Sequence, residues 1–374
     1  MSVNCIVGQK RAKAQVEAWL KSRRVPHTIL ISGPPGVGKR RLALELVKAI
    51  NCREVSGWAC GRCNSCSKVE KLLHPDVHAL LPLPSGREKQ DRAAVQEIMR
   101  GAVLDYLQQG TSFSHSNVNI ARDFIRTLQK DMAYTPVEAP CRIGVIFEAE
   151  CMHSAGANSL LKILEEPPEN AFFILVSALS ERILPTVLSR CQQVTLQRLG
   201  QAELRAYLQE MEISAENLEL AVHLGAGSTQ RALQIAAGEF DGMRDSVEKF
   251  ILAGIRGEDE VYWALLDEVG SSAERGKLEE FLEGCGLYLR DLMLLACGGE
   301  TKIACTDRHD FLMQVRHYFQ LDQLEALAVE VDRAFGNLWR NVSTNLVLVD
   351  LWRCLGNCER WDRALSAARG TQNR

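Results

Sequence analysis

Five short apolar runs punctuate the first 200 residues. Thr28-Ile29-Leu30-Ile31-Ser32 leads into a glycine-rich loop, and Val77 to Leu83, Arg142 to Phe147, Ala171 to Val176 and Gln192 to Leu196 follow. Between them apolar residues recur at helical spacing. One set is Leu42, Leu44, Leu46, Val47 and Ile50; a second is Ala94, Val95, Ile98, Met99, Leu104 and Leu107; a third is Ile120, Phe124, Leu128 and Met132. Strands that alternate with helices, several of them apolar on both faces, predict a five-stranded parallel sheet covered by helices. The polar run Gln108 to Asn117 reads as an exposed loop.

The strand pattern stops at Gly200. Gln201 to Met211 and Ala215 to Ala237 read as helices, broken at Gly225-Ala226-Gly227-Ser228. Beyond about Gly242 the pattern is helical: Val247 to Ile255, Glu258 to Val269, Leu278 to Ala296, Phe311 to Phe319, Asp322 to Phe335 and Leu346 to Leu355. The expected organisation is an α/β core over 1–198, a small helical unit over 199–241 and an all-α domain over 242–374.

Composition narrows the class without naming it. The chain has 374 residues, 46% hydrophobic and 24% charged, enough apolar material for real cores. Its net charge of -3 excludes a chain that is a polyanion binder overall, though not a local basic patch. No apolar stretch reaches the roughly 18 residues of a membrane span. Met1 to Gln9 lacks a basic start followed by an apolar run, so a cytoplasmic location is expected. Thiols stay reduced there, and the 13 cysteines then imply no disulfide framework.

Chemistry enters at Gly33-Pro34-Pro35-Gly36-Val37-Gly38-Lys39-Arg40. Gly33, Gly36 and Gly38 allow a tight turn whose N–H groups can face phosphate oxygens, and Lys39 adds a full charge at a helix start. The spacing is that of a phosphate-binding loop except at its end. Where Ser or Thr would hold Mg²⁺, the chain has Arg40, which cannot ligate a metal and keeps its charge. A nucleotide-hydrolysing site also needs a carboxylate at a neighbouring strand end and a proton acceptor beside it. Glu148 takes the first place and Ala149 the second; Glu150, one position later, would face elsewhere on an extended strand. Two independent parts of a hydrolytic apparatus are thus altered. Bound ATP or ADP is left open, and Mg²⁺ is not expected.

Cys52, Cys60, Cys63 and Cys66 place four thiols within fifteen positions, in two C-x2-C steps that share Cys63. Gly57, Gly61 and Asn64 supply turns between them. The spacing fits a closed, structural zinc site of four thiolates better than a redox dithiol, which needs one pair, or an iron–sulfur cluster.

Asn158-Ser159-Leu160-Leu161-Lys162-Ile163-Leu164-Glu165-Glu166-Pro167-Pro168-Glu169, followed by Leu184-Pro185-Thr186-Val187-Leu188-Ser189-Arg190-Cys191, resembles the NxLLKxLEEPP…SRC signature of bacterial DNA polymerase III clamp-loader subunits, which are AAA+ proteins. Ile6-Val7-Gly8-Gln9, the cysteine module over 52–66, His74-Pro75-Asp76 and Gly227-Ser228-Thr229-Gln230-Arg231-Ala232-Leu233 support it. So do Leu289-Arg290-Asp291-Leu292 and Asn341-Val342-Ser343-Thr344-Asn345-Leu346. Nearly the whole chain is covered, except that about 85–116 is inserted relative to a compact family core.

The resemblance implies an AAA+ P-loop core, a helical lid over 199–241 and a C-terminal collar over 242–374. Within the family the altered site is closer to the δ′ type than to the ATP-hydrolysing γ/τ motor, and Gln230 stands where the motor's lid carries an arginine. The implied partners are γ/τ and δ subunits in an open ring of five, a sliding clamp, and primer–template DNA through the complex. Arg190 would then act in trans, as a guanidinium that reaches the γ-phosphate held by the adjacent motor, with Ser189 and Cys191 positioning it. An active γ/τ-like motor, with Arg40 turned to solvent, and a stand-alone zinc-dependent DNA-binding protein remain as other readings. Turnover abolished by Lys39→Ala marks the first; salt-sensitive DNA binding lost in Cys60→Ser marks the second.

Overall fold

The computed structural model describes residues 6–54, 57–84, 92–109, 118–258, 260, 262–264, 275–339 and 342–356. In chain order the first elements are α1 (Lys10–Ser22), β1 (Thr28–Ser32), α2 (Lys39–Asn51), α3 (Asn64–Glu70), β2 (Val77–Leu80), β3 (Leu83–Pro84) and α4 (Arg92–Gln109). Next come β4 (Val118–Asn119), α5 (Arg122–Met132), β5 (Arg142–Ile146), α6 (Ser154–Glu165), β6 (Ala171–Ser177), α7 (Pro185–Leu188) and β7 (Gln192–Thr195).

The main sheet has the order β2-β5-β6-β1-β7. Every neighbouring pair is parallel. Ile29 pairs with Ile174 and Leu30 with Leu175, and Val145 lies opposite Ile174 on the other side of β6. All five residues of β1 and all five of β5 are buried, which is why these strands read as continuous apolar runs rather than alternating ones. Because the strands are parallel, the segments that follow β1 and β5 leave the same edge of the sheet. That edge receives the glycine loop and Glu148.

Two expectations are revised. The run Val77 to Leu83 is one strand in the sequence reading, whereas β2 stops at Leu80 and Leu83–Pro84 pairs antiparallel with β4 instead. Pro82 has no N–H to offer a ladder, so the pairing ends before it. Of the exposed loop expected over Gln108 to Asn117, Gln108 and Gln109 belong instead to α4; residues 110–117 lie outside the described residues.

α4 lies against β2. It buries Met99, Val103 and Tyr106, a stripe with helical spacing that differs from the Leu104 and Leu107 pair prominent in the sequence. On α5, Phe124, Ile125, Leu128 and Met132 form the buried face.

The remaining chain is helical: α8 (Gln201–Glu210), α9 (Ala215–Gly225), α10 (Thr229–Ala236), α11 (Asp241–Arg256), then helices Arg275–Ala296, His309–Arg316 and Leu321–Trp339, and a helical stretch over 344–356. Much of the helix expected over Glu258 to Val269 lies outside the described residues. The chain divides into two compact units. One is Met1–Tyr207 with Ala226–Arg231; the other is Leu208–Gly225 with Ala232–Arg374.

Within the second unit, buried Arg244 pairs with Asp307 and, at 3.4 Å, with Asp241. Tyr288 donates to Glu248 at 2.5 Å, and Asp291 accepts the Cys305 amide at 2.8 Å and the Ala304 amide at 3.0 Å. The Leu289–Leu292 motif therefore has a local structural use: its aspartate anchors the segment that follows the Arg275–Ala296 helix.

Candidate nucleotide site and cysteine centre

The glycine loop links β1 to α2, as its spacing requires. Gly33, Gly36 and Gly38 have φ of 142°, 72° and 98°, a region that L side chains rarely adopt. At Gly36 an added Cβ would also overlap the Ser228 hydroxyl. Ser228 caps α10 by accepting the Arg231 amide at 3.2 Å, and Thr229 Oγ1 donates to the Gly36 carbonyl at 3.2 Å. The segment 228–230 is thus packed onto the loop.

Lys39 is buried, and its Nζ donates to the Pro34 carbonyl at 2.7 Å. Burial lowers the ammonium to about 8, against the attraction of Glu148 and Glu150, and the Arg40 charge adds to the fall. The lysine is therefore bonded to its own loop.

Arg40 does not turn to solvent, as the motor reading had supposed. Its Nη1 donates to the Tyr106 carbonyl at 2.7 Å and its Nη2 to Gln230 Oε1 at 2.5 Å. The guanidinium carbon sits 4.4 Å from the centre of the Tyr106 ring. Tyr106 lies in the last turn of α4, where carbonyls lack intrahelical partners and the helix end carries partial negative charge. Arg40 answers both needs.

Glu148 follows the end of β5 with φ of 49°, uncommon for a residue other than glycine. Its carboxylate accepts the Tyr106 hydroxyl. Burial raises the Glu148 pKa, and the neighbouring Glu150 adds to this against the pull of Tyr106, Lys39 and Arg40. Ala149 is buried and offers no acceptor. Glu150 stands in a 3-10 turn, not on a strand, and its Oε1 accepts the Ala178 amide at 2.9 Å and the Leu179 amide at 3.3 Å.

The residues expected at the phosphate cradle are therefore together, and Tyr106 joins them from α4. The sequence reading missed Tyr106. Its signal was present in the i, i+4, i+7 stripe of Met99, Val103 and Tyr106, but nothing local points from α4 to Arg40 or Glu148.

Arg190 lies apart from this cluster, just after α7. Its Nη2 pairs with Glu165 Oε1 at 2.5 Å and its Nη1 donates to the Thr186 carbonyl at 2.8 Å. Ser189 Oγ lies 3.4 Å from Nη1, and the Cys191 thiol bonds the Val187 carbonyl at 3.1 Å. The Ser-Arg-Cys turn and the Glu of the Leu-Glu-Glu-Pro-Pro motif thus meet.

The cysteine cluster lies beside α2. The sulfurs of Cys52, Cys60, Cys63 and Cys66 all lie within 4.8 Å of one another. A tetrahedral ion with metal–sulfur bonds of about 2.3 Å spaces its sulfurs about 3.8 Å apart, so the four fit such an ion. The Cys63 and Cys66 amides point at the sulfurs of Cys60 and Cys63, each at 3.4 Å. These N–H groups favour thiolate and suit ligands more than buried spectator thiols. From α3, Glu70 bridges to Lys48 of α2 at 2.7 Å, and Lys48 in turn pairs with fully buried Glu45 at 2.7 Å.

A parallel α/β sheet with a glycine cradle, a strand-end carboxylate and a docked helical segment defines the class: an AAA+ P-loop protein. The family profile described as DNA polymerase III, delta subunit, matches residues 8–200, just over half of the chain. The chain belongs to this family, as a δ′-like clamp-loader subunit related to γ/τ.

It is 25% identical over 297 residues to the DNA polymerase III subunit delta' of Bacillus subtilis, covering 79% of this chain and 80% of that protein. It is 28% identical over 294 residues to the subunit gamma/tau of Mycobacterium bovis, covering 75% of this chain and 45% of that protein. The solved structure of a gamma subunit-related protein of Thermotoga maritima covers 92% of this chain and 99% of that one, at 16% identity and a TM-score of 0.45. Among the described residues no helix is long and apolar enough to cross a membrane.

Proposed function

We propose that this subunit does not hydrolyse ATP itself and acts in the clamp loader by completing the site of a neighbour. The observation that carries the reading is Arg40, tied to Gln230 and the Tyr106 carbonyl at the position where a metal-holding hydroxyl would stand. With Ala149 in the place of a base, neither Mg²⁺ nor an attacking water has its usual anchor. The partners of this reading are γ/τ and δ subunits, the sliding clamp and primer–template DNA, in the bacterial cytoplasm.

Arg190 is the group offered in trans. Its bonds to the Thr186 carbonyl and the Ser189 hydroxyl restrict its rotamers, and Glu165 is the ion-pair partner that a neighbour's γ-phosphate would replace. Such a guanidinium contributes about 10³–10⁵ in rate at the site it serves. Cys52, Cys60, Cys63 and Cys66 would hold a structural zinc ion. A full set of four thiolates leaves no open position, so the ion would brace the module and supply no catalysis.

Reconstitution with γ/τ and δ subunits tests the reading. The isolated chain should show no ATP turnover. The complex should lose the DNA-stimulated turnover of one interface when Arg190→Ala is introduced, with assembly intact. Turnover by the isolated chain, or an Arg190→Ala complex with unchanged ATPase, would overturn it.

A further inference from the structure

α4 has no role in the reading above, and its last turn meets Arg40 and Glu148. Tyr106, in the last turn of α4, is 2% exposed. Three of its groups are used. The hydroxyl donates to Glu148, the carbonyl accepts from Arg40, and the ring lies under the guanidinium and meets Phe147 edge-on, with ring centres 5.5 Å apart. Met99 and Val103 anchor the same helix face in the core, and the Leu81 amide contacts Met99 Sδ at 3.2 Å. The arrangement is packed along two turns of helix, not by one stray side chain.

Arg40 and Glu148 are the positions at which a loaded P-loop protein meets the cation and the terminal phosphate of its nucleotide. We infer that α4 is a built-in plug, in which Tyr106 fills from within the chain the place between Arg40 and Glu148 that a metal-bound nucleoside triphosphate would take. The inference rests on the reading of this chain as a non-hydrolysing subunit and extends it from chemistry to binding. The altered residues explain why a bound nucleotide would not be cleaved; the plug explains why it would be kept out.

Physically the plug is a competing intramolecular ligand. It presents a neutral hydroxyl to the carboxyl, a carbonyl dipole to the guanidinium and an aromatic face to the same cation. It is held at high effective concentration by its own helix. The apparent nucleotide affinity is then the intrinsic one multiplied by the fraction of molecules with α4 withdrawn. The glycine cradle and Lys39 can therefore persist while the site stays closed. Gln230 makes the closure two-sided, since it holds the other arm of Arg40 from the segment docked on Gly36.

The test uses the full chain and Mg·ATP, with binding read by calorimetry. Tyr106→Phe keeps the ring on Phe147 and Arg40 and removes only the hydroxyl bond to Glu148. Tyr106→Ala removes the ring as well. The expected order of affinity is Ala above Phe above wild type, with a gain of about tenfold or more for Phe, the value of one buried hydrogen bond to a carboxylate. Equal affinity in wild type and Tyr106→Phe, with both folded by circular dichroism, overturns the plug. The comparison of wild type with Tyr106→Phe decides the matter even if the Ala variant fails to fold. ATP turnover, measured on the same wild-type samples, separates the two ideas. Turnover by wild type sinks the non-hydrolysing reading; unchanged affinity without turnover sinks only the plug.

Discussion

Asp76 offers a measurement that connects sequence motif, fold and pH. It is fully buried at the entry to β2, and its Oδ1 accepts the Val137 amide at 2.7 Å. Its Oδ2 accepts the Glu138 amide at 2.7 Å and the Ala139 amide at 2.8 Å, and Arg142 Nε lies 3.8 Å from Oδ1. One carboxylate thus pins the loop that feeds β5, the strand that ends in Glu148. In Asp76→Asn the best orientation turns the remaining oxygen to Glu138 and Ala139, and the new NH2 then faces the Val137 N–H. One bond to a charged acceptor becomes a donor–donor clash, and the others weaken. With about 1.5–3 kcal/mol for each charged bond, the expected loss is about 2–4 kcal/mol. For a unit of this size that is a fall in Tm of roughly 5–15 °C.

The pH dependence of the same bond fixes the sign. Burial raises the Asp76 pKa, but the amides of Ala139, Val137 and Glu138 and the Arg142 charge outweigh it, so the folded value lies below the usual carboxylate range. A depressed carboxyl stabilises fully above its unfolded value of about 4 and loses that stabilisation as pH falls through the folded value. The gap between wild type and Asp76→Asn should therefore be flat from pH 8 to about 5 and narrow below about 4. Denaturant melts give the gap, and amide exchange at Val137, Glu138 and Ala139 gives its location. A gap under about 0.5 kcal/mol at pH 7, or one that stays constant to pH 3, would refute the reasoning.

If the four thiols hold zinc as proposed, treatment with a chelator should release one zinc per chain by native mass spectrometry and speed amide exchange in α3. Cys60→Ser should do the same, whereas Cys297→Ser, at an exposed thiol outside the cluster, should do neither. In the helical unit, Arg244→Met should cost about 2–3 kcal/mol in a denaturant melt, because it removes the buried guanidinium's bonds to Asp307 and Asp241 and leaves part of its volume empty, while Asp307 keeps solvent and Arg308. The penalty should shrink in the double variant with Asp307→Ala, and an additive double variant would count against the pair.

The sheet was legible because strands buried on both faces must be apolar throughout, so Thr28 to Ser32 and Ala171 to Val176 announce themselves. The cradle was legible because φ of 72° and 98° at Gly36 and Gly38 strongly favours glycine. The cysteine cluster was legible because its four thiols lie close in sequence. Tyr106 was not, for the opposite reason: its partners Arg40 and Glu148 are 66 and 42 positions away, and no local pattern encodes such a meeting. The strand end at Leu80 could have been read from Pro82, whose missing N–H outweighs the apolar run around it. The turn of Glu148 into the left-handed region, which aims its carboxyl at α4, has no signature in the Phe-Glu-Ala-Glu sequence at all.

Charge compensation decides how far such a site can be reversed. Lys39 is buried and Arg40 half-buried at this site, where an uncompensated cation is costly. In a loaded P-loop the phosphates balance them. Here the Pro34 and Tyr106 carbonyls, Gln230 and the nearby carboxyls do so. Each substitute is itself held by something else, Tyr106 by α4 packing and Gln230 by the segment on Gly36. Replacing Arg40 with a hydroxyl residue would supply a metal ligand, yet would leave the Tyr106 carbonyl and Gln230 without their donor and Glu148 still bonded to the phenol. Replacing Ala149 with an acid would add a third carboxyl beside Glu148 and Glu150, whose mutual repulsion already works against ionisation of Glu148. The changes are therefore coupled through shared partners, and their effects on nucleotide binding should be far from additive. A cradle balanced in this way has its cations compensated by the protein's own groups, so the fold needs no bound phosphate to offset them.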